Sequence, residues 1–294
     1  MTKTFKTIDE QLELLESRGL QIPNRNKAAQ FLAENNYYRI SGYSLTLREH
    51  DQFFPNATFQ NIIDIYNFDH KLRHILLKHI ETIEVKLKSS LAHNLSQLNG
   101  PLGYLSSANF TDLKKYSEII GKSEKLKIER TPHEAYLKHF AEELQSPIPI
   151  WAYVELFSIA DISILYKISR QDVKELIAKD FSLDEAQTWL LETFMHSMTI
   201  LRNLCAHGSR IFNRLFEQKP KLTKHEKSIL RTTSKGALDN EHLFSFILIM
   251  RRLLNKEQFA ELVEEIANLS NEIPFVSLTY YGFPENWQDA VTSL

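Results

Sequence analysis

The chain of 294 residues is 43% hydrophobic, which is enough to bury one large core or two small ones. Its apolar runs, such as residues 246–250, are far shorter than the roughly 20 residues of a membrane helix, and residues 1–10 lack an apolar signal region. A single cysteine, Cys205, excludes an internal disulfide framework and a cysteine-rich zinc site. We therefore expect a cytoplasmic protein with no membrane partner.

Residues 1–54 predict a small helical appendage. Short helices are expected over 7–16 and 24–36, and an aromatic turn follows them. The tyrosines of this turn could stack on RNA bases, but we favour their packing onto the rest of the protein. They are Tyr37, Tyr38 and Tyr43.

Two long helices are predicted further along the chain. The first is expected over 58–94, where apolar residues recur at helical spacing. Its opposite, polar face carries Lys71, Arg73, Lys78, Glu81 and Lys88. The second is expected over 182–216, because Ser182 and Glu185 form a capping-box pattern.

Helices over 151–168 and 239–269 complete four core-forming helices. The sequence therefore predicts an all-α fold, with a helical bundle over 55–270 and a C-terminal docking tail over 271–294. Trp151 and Trp287 are expected to be core anchors.

The composition also bears on ligands. Only 8 glycines are present and none forms a Gly-x-Gly pattern, so no nucleotide phosphate loop can be placed and no cofactor is expected. Although the net charge is −2, residues 202–235 contain nine Lys or Arg against Glu217 and Glu226, a net charge of +7. Such a segment is typical of a phosphate-backbone binder, but taken alone it fits a solvated surface equally well.

The predicted helix over 182–216 has an apolar and a polar side. At about 100° per residue, the polar side carries His196, Thr199, Asn203, His207, Arg210 and Arg214. A buried face would not tolerate so many unpaired polar groups, so this side is expected to face water, a cleft or a partner.

The chemistry of this polar side suits RNA cleavage. The imidazole of His207 could act as a general acid or base at a ribose hydroxyl, and the guanidinium of Arg202 could stabilise charge on the phosphorus centre. The two residues project about 140° apart on a regular helix. Cooperation therefore requires a long reach of the Arg202 side chain, a helix distorted near Gly208, or a second copy of the helix.

Other residues of the segment receive supporting roles or none. Asn203 is expected to orient the His207 ring or simply to contact solvent, and Arg210 and Arg214 are expected to bind substrate phosphate. Cys205 is expected to be a buried structural thiol. No metal site is predicted, because Cys205 and His207 diverge on a helix.

The segment Arg202-Asn203-Leu204-Cys205-Ala206-His207 resembles the Arg-x(4 to 6)-His signature of HEPN-domain ribonucleases. It has the form found in the Abi-like family of bacterial abortive-infection proteins, the AbiD and AbiF group. Further blocks resemble that family in order over nearly the whole chain: 36–43, 66–73, 83–85, 149–151 with Glu155, and 282–287. One departure is 158–161, where the family pattern has a Gly-containing turn.

This resemblance implies a HEPN-type bundle that forms a homodimer and brings two Arg-His motifs together. It implies metal-independent cleavage of RNA in anti-phage defence, with Arg202 and His207 as the catalytic pair and a 2′,3′-cyclic phosphate as product. It also implies association with a small noncoding RNA.

The sequence is also compatible with two alternatives to a ribonuclease. One is a non-catalytic binder of a structured noncoding RNA that acts as an infection sensor. The other, a transcriptional regulator that reads DNA through residues 1–54, rests only on two short helices.

Overall fold

The computed structural model describes residues 4–293 and is 67% helical. The all-α prediction is thereby confirmed. The helices are α1 (Ile8–Ser17), α2 (Arg25–Asn35), α3 (Tyr37–Ser41), α4 (Phe59–Asn99), α5 (Leu113–Arg130), α6 (Ala135–Lys138), α7 (Ile150–Tyr153), α8 (Ile159–Ile168), α9 (Gln171–Asp180), α10 (Thr188–Ala206), α11 (Lys224–Ser228), α12 (Phe244–Leu253), α13 (Lys256–Glu272) and α14 (Trp287–Thr292). A hairpin of β1 (Arg48–Glu49) and β2 (Gln52–Phe53) is antiparallel. Among the described residues, no helix is long and apolar enough to cross a membrane.

Helix α4 is the central element of the fold. It begins at the predicted place, because the Thr58 hydroxyl oxygen accepts a hydrogen bond from the Asn61 amide and the Asn61 side-chain oxygen accepts one from the Thr58 amide. It runs five residues beyond the predicted end and stops at Gly100, which has a φ of 76°. Its apolar side is buried against α8, α9, α10 and α13. Arg73, predicted on the polar face, is instead buried.

Helix α10 is shorter than predicted at both ends. Ser182 has a φ of 56° and does not cap a helix, whereas the backbone amide of Asp184 donates to the Gln187 side chain in a short 3-10 turn before α10. At the other end the helix stops at Ala206. Gly208 has a φ of 64°, and the amide of Ser209 donates back to the carbonyl of Leu204 at 2.8 Å, which is the Schellman pattern.

The early end of α10 corrects the predicted polar side. Arg210 and Arg214 lie beyond the helix and not along it. Thr199 is buried, and its hydroxyl donates to the Met195 carbonyl at 2.9 Å. Within α10, the exposed polar side consists of His196 and Asn203.

Capping boxes also divide two other predicted helices. Ser158 and Asp161 cap α8, so the predicted helix over 151–168 is two separate helices, and this cap occupies the place where a Gly-containing turn was expected. Asn255 and Gln258 cap α13 and end the predicted helix over 239–269 at Leu253.

The aromatic predictions have mixed outcomes. Tyr43 is fully buried, as expected, whereas Tyr38 is 86% exposed. Trp287 is a core residue, but Trp151 is 59% exposed. The reason is that α7 has a single turn, whose buried side is already occupied by Ile150 and Tyr153.

Candidate functional site

Arg202 lies on the side of α10 that faces α4. Its half-buried side chain lines a cavity of about 480 Å³. Most of the other lining residues recur along one face of α4: Leu77, Lys78, Glu81, Glu84, Val85 and Lys88, with Glu155 from the segment after α7.

The charges in this cavity are mixed. Lys88 Nζ lies 3.5 Å from Glu84 Oε1 and 3.5 Å from Glu155 Oε2. Lys78 is turned toward α13, where its Nζ lies 2.6 Å from Glu261 and from Glu265. Arg202 therefore lies in a cavity that contains carboxylates as well as cations, and a phosphate approaching it meets both.

His207 has a different environment at the end of α10. It is the C-cap residue and its side chain is exposed. Its backbone amide donates to the Asn203 carbonyl at 3.0 Å, and that backbone bond joins the two residues. The orienting role of Asn203, whose side chain is also exposed, stays a prediction.

The turn after His207 is held by a residue from the N-terminal part of the chain. Arg39 Nη2 donates to the Gly208 carbonyl at 2.6 Å, and its guanidinium lies over the ring of Tyr66 at 5.7 Å. A Cβ at position 208 would lie 3.3 Å from Arg39 Nη2. Gly208 therefore permits both the left-handed backbone and the close approach of Arg39.

Arg210 and Arg214 make contacts within the chain. Arg210 Nη1 donates to the Phe212 carbonyl, and a Cβ on Gly42 would lie 3.2 Å from Arg210 Nε. Arg214 Nη1 donates to the Arg210 carbonyl at 3.4 Å. Both guanidinium groups are half-buried and keep further donors for a phosphate, so their phosphate-binding role stays a prediction.

Cys205, between the two motif residues, is buried, and its thiol is expected to be unreactive. Burial raises the pKa of its thiol to about 12, although the nearby charge of Arg73 opposes the shift. A thiol with so high a pKa is a poor nucleophile at neutral pH. The predicted burial of Cys205 is confirmed.

Only part of the positive charge of the basic segment over 202–235 is paired with acidic side chains in the described part of the chain. Lys219 pairs with Glu241, and Arg231 Nε lies 2.6 Å from Asp239 Oδ2. Four other lysines are exposed and have no acidic partner within the described part of the chain: Lys221, Lys224, Lys227 and Lys235.

Several residues around the motif were not assigned a role from the sequence. Glu155 and Arg39 lie near Arg202 and Gly208, respectively, although they are far away along the chain. The signal for them was present, because both fall in blocks that carry the family resemblance. What that signal lacked was any indication of which residue contacts which.

Fold and site together define an all-helical protein in which one helix presents a half-buried arginine and ends at an exposed histidine. A family model described as Abi-like protein matches residues 30–213, which is more than half of the chain, and the chain belongs to this family. Membership points to a role in abortive infection, a defence of bacteria against phage. No curated protein and no solved structure matches the chain.

Proposed function

We propose that the protein is a metal-independent RNA endonuclease of the HEPN type that acts in abortive infection, with Arg202 and His207 as its catalytic pair. The observation that carries the proposal is the placement of the motif. A mostly buried helix ends at an exposed imidazole, about 1.4 turns after a half-buried guanidinium.

The chemistry needs only these two groups and the substrate. The ribose 2′-oxygen attacks the adjacent phosphorus while the phosphorus to 5′-oxygen bond breaks. An imidazole accepts the 2′-hydroxyl proton, and the imidazolium so formed, or water, delivers a proton to the leaving 5′-oxygen. The guanidinium donates to the phosphate oxygens, where charge increases in the transition state. The products are a 2′,3′-cyclic phosphate and a 5′-hydroxyl.

We further propose that the working site is completed across a homodimer. Within one chain, Arg202 lines the cavity beside α4, whereas His207 projects from the end of α10 beside the turn held by Arg39. The five-residue spacing directs the two side chains about 140° apart on a regular helix. A second copy would supply the missing partner group to each half.

Analysis of RNA ends tests the reaction. Wild-type protein should leave 2′,3′-cyclic phosphate ends in the presence of a chelator, and Arg202→Ala and His207→Ala should each lower cleavage about 10³-fold. His196→Ala is the matched control, since His196 is an exposed histidine on the same helix. The proposal fails if the cyclic ends persist in both motif variants.

Mixing the two inactive variants tests the dimer. If each site takes Arg202 from one chain and His207 from the other, about half of the reassociated dimers are mixed, and each mixed dimer has one intact site of two. About a quarter of wild-type activity should return. No recovery in mixtures shown to exchange subunits would place the site within one chain.

The exposed lysines of the basic segment favour a second candidate, a non-catalytic binder of a structured noncoding RNA that senses infection. Combined substitution of Lys221, Lys224 and Lys227 by Glu should then abolish the RNA gel shift and the defence phenotype. Under this alternative, His207→Ala would leave both unchanged.

A further inference from the structure

A cluster of buried polar side chains lies beneath the turn that follows His207. Asp69 and Arg73, one turn apart on α4, form an ion pair and are almost completely buried. The hydroxyl of Tyr43 donates to Asp69 Oδ2 at 2.8 Å, and that of Tyr281 donates to Asp69 Oδ1 at 3.2 Å. Arg73 Nη1 donates to the Tyr43 hydroxyl oxygen at 3.2 Å. We call these four residues the polar hub.

The hub binds the backbone just after the histidine. The amide of Ile211 donates to Asp69 Oδ2 at 3.3 Å, and Arg73 Nη1 lies within hydrogen-bond reach of the Ser209 carbonyl at 3.5 Å. With the bond from Arg39 to the Gly208 carbonyl, three of the four residues that follow His207 are tied to side chains from distant parts of the chain.

Stability alone is a poor explanation for the hub. Removing two charges from water costs several kcal/mol per ion, and apolar replacement of a buried ion pair is often neutral or stabilising. Arg73 Nη2 is also a buried donor that has no partner among the described residues, which adds about 1–3 kcal/mol of cost. Burial raises the pKa of the Asp69 carboxyl despite the neighbouring guanidinium, as expected for a site that disfavours charge.

We propose that Asp69 and Arg73 are positioning residues, which fix the turn over 208–211 and thereby the place and direction of the His207 ring. This role rests on the proposed function for its catalytic consequence. Its structural consequence, a turn held rigid by the hub, is independent of that function.

The test replaces both charges at once, with Asp69→Leu and Arg73→Met, so that no buried charge is left unpaired. We expect a folded protein with a melting temperature several degrees below wild type, because the Tyr43 and Tyr281 hydroxyls lose their buried partners. The Ile211 amide should exchange with solvent at least tenfold faster, while amides in the middle of α4 and α10 keep their protection. For RNA cleavage, kcat should fall at least tenfold and KM should change less than about twofold.

Asn94→Leu is the matched control. Asn94 is also buried on α4, where it donates to Asp180 at 2.8 Å, but it lies far from the turn. If the double variant acted only through a general loss of buried polar contacts, both it and Asn94→Leu would be less stable than wild type. The Ile211 amide would then stay protected in both variants.

If the double variant does not fold, Tyr43→Phe decides the question. This change removes one hydroxyl that bonds both Asp69 and Arg73. We expect about threefold faster exchange at Ile211 and about threefold lower kcat. Unchanged exchange at Ile211 in a folded hub variant overturns the proposal. Wild-type protein that cleaves no RNA overturns the proposed function, but the exchange result still decides on the hub.

Discussion

The two residues of the motif are held in different ways. Arg202 lies inside a regular helix, and its surroundings are side chains of α4 and Glu155. His207 ends that helix, and its surroundings depend on a left-handed glycine, on Arg39 and on the polar hub. One half of the motif is therefore positioned by local helix geometry, whereas the other depends on contacts between distant segments. Substitutions should therefore affect the two halves differently.

Outside the catalytic pair, the largest effect is expected at Gly208. Gly208→Ala places a Cβ on a left-handed residue and 3.3 Å from Arg39 Nη2. It should lower the free energy of unfolding by about 1–2 kcal/mol and reduce cleavage about 100-fold. Gly236→Ala is the control, because Gly236 has a similar φ of 75° and open space around it. In Gly236→Ala, chemical denaturation should show the same loss of stability as in Gly208→Ala. RNA cleavage by Gly236→Ala should be fully retained.

The next largest effect is expected from loss of the Arg39 clamp, by which we mean the hydrogen bond from Arg39 to the Gly208 carbonyl. Arg39→Ala removes the bond to the Gly208 carbonyl and should lower kcat about tenfold, with KM changed less. Arg39→Lys should recover part of the activity, because an ammonium group can donate to the same oxygen. Arg18→Ala, which removes an ion pair with Asp51 in the N-terminal part, serves as the control. Equal losses of activity in Arg39→Ala and Arg18→Ala would contradict a specific clamp.

A smaller effect is expected on the Arg202 side. Glu84→Gln removes a negative charge from the cavity and leaves Lys88 paired with Glu155. Phosphate repulsion should decrease, so the KM for RNA should fall about two- to threefold at low salt and return toward wild type at high salt. Glu129→Gln, at an exposed position of α5, provides the comparison. A KM that rises in Glu84→Gln would show that the carboxylate holds Arg202 in its active position.

The smallest effect is expected at Cys205. Because its thiol is buried and its pKa is raised to about 12, alkylation should be very slow in the folded protein. Cys205→Ala should cost about 1 kcal/mol of stability and leave cleavage unchanged. Rapid alkylation that also blocks cleavage would mean that the end of α10 opens readily.

The sequence was informative where structure is local. The start of α4 was predicted correctly, since Thr58 and Asn61 form a cap from neighbouring residues. The end of α10 was placed ten residues too late, although Gly208 marks it, because the polar spacing continued past the glycine. Local pattern therefore identified the helix but not the point where tertiary contacts stop it.

Contacts over long sequence separations were beyond prediction. Arg39 and Gly208 are 169 residues apart, and neither sequence segment indicates that it contacts the other. Arg73 was placed on the polar face of α4, opposite the apolar residues, because of its helical spacing. Its pair with Asp69 at helical spacing was visible, but the tyrosines that enclose the pair come from opposite ends of the chain.

Helix α4 serves both halves of the motif. At 41 residues and about 1.5 Å per residue it is roughly 60 Å long. The part of α4 around Asp69 supports the turn after His207. The part around Glu84, about 22 Å further along the helix, lines the Arg202 cavity. The supports of both halves therefore belong to one continuous helix, whose rigidity fixes the distance between them. For the proposed dimeric site, we expect completion through an approach between chains, and not through a hinge in α4.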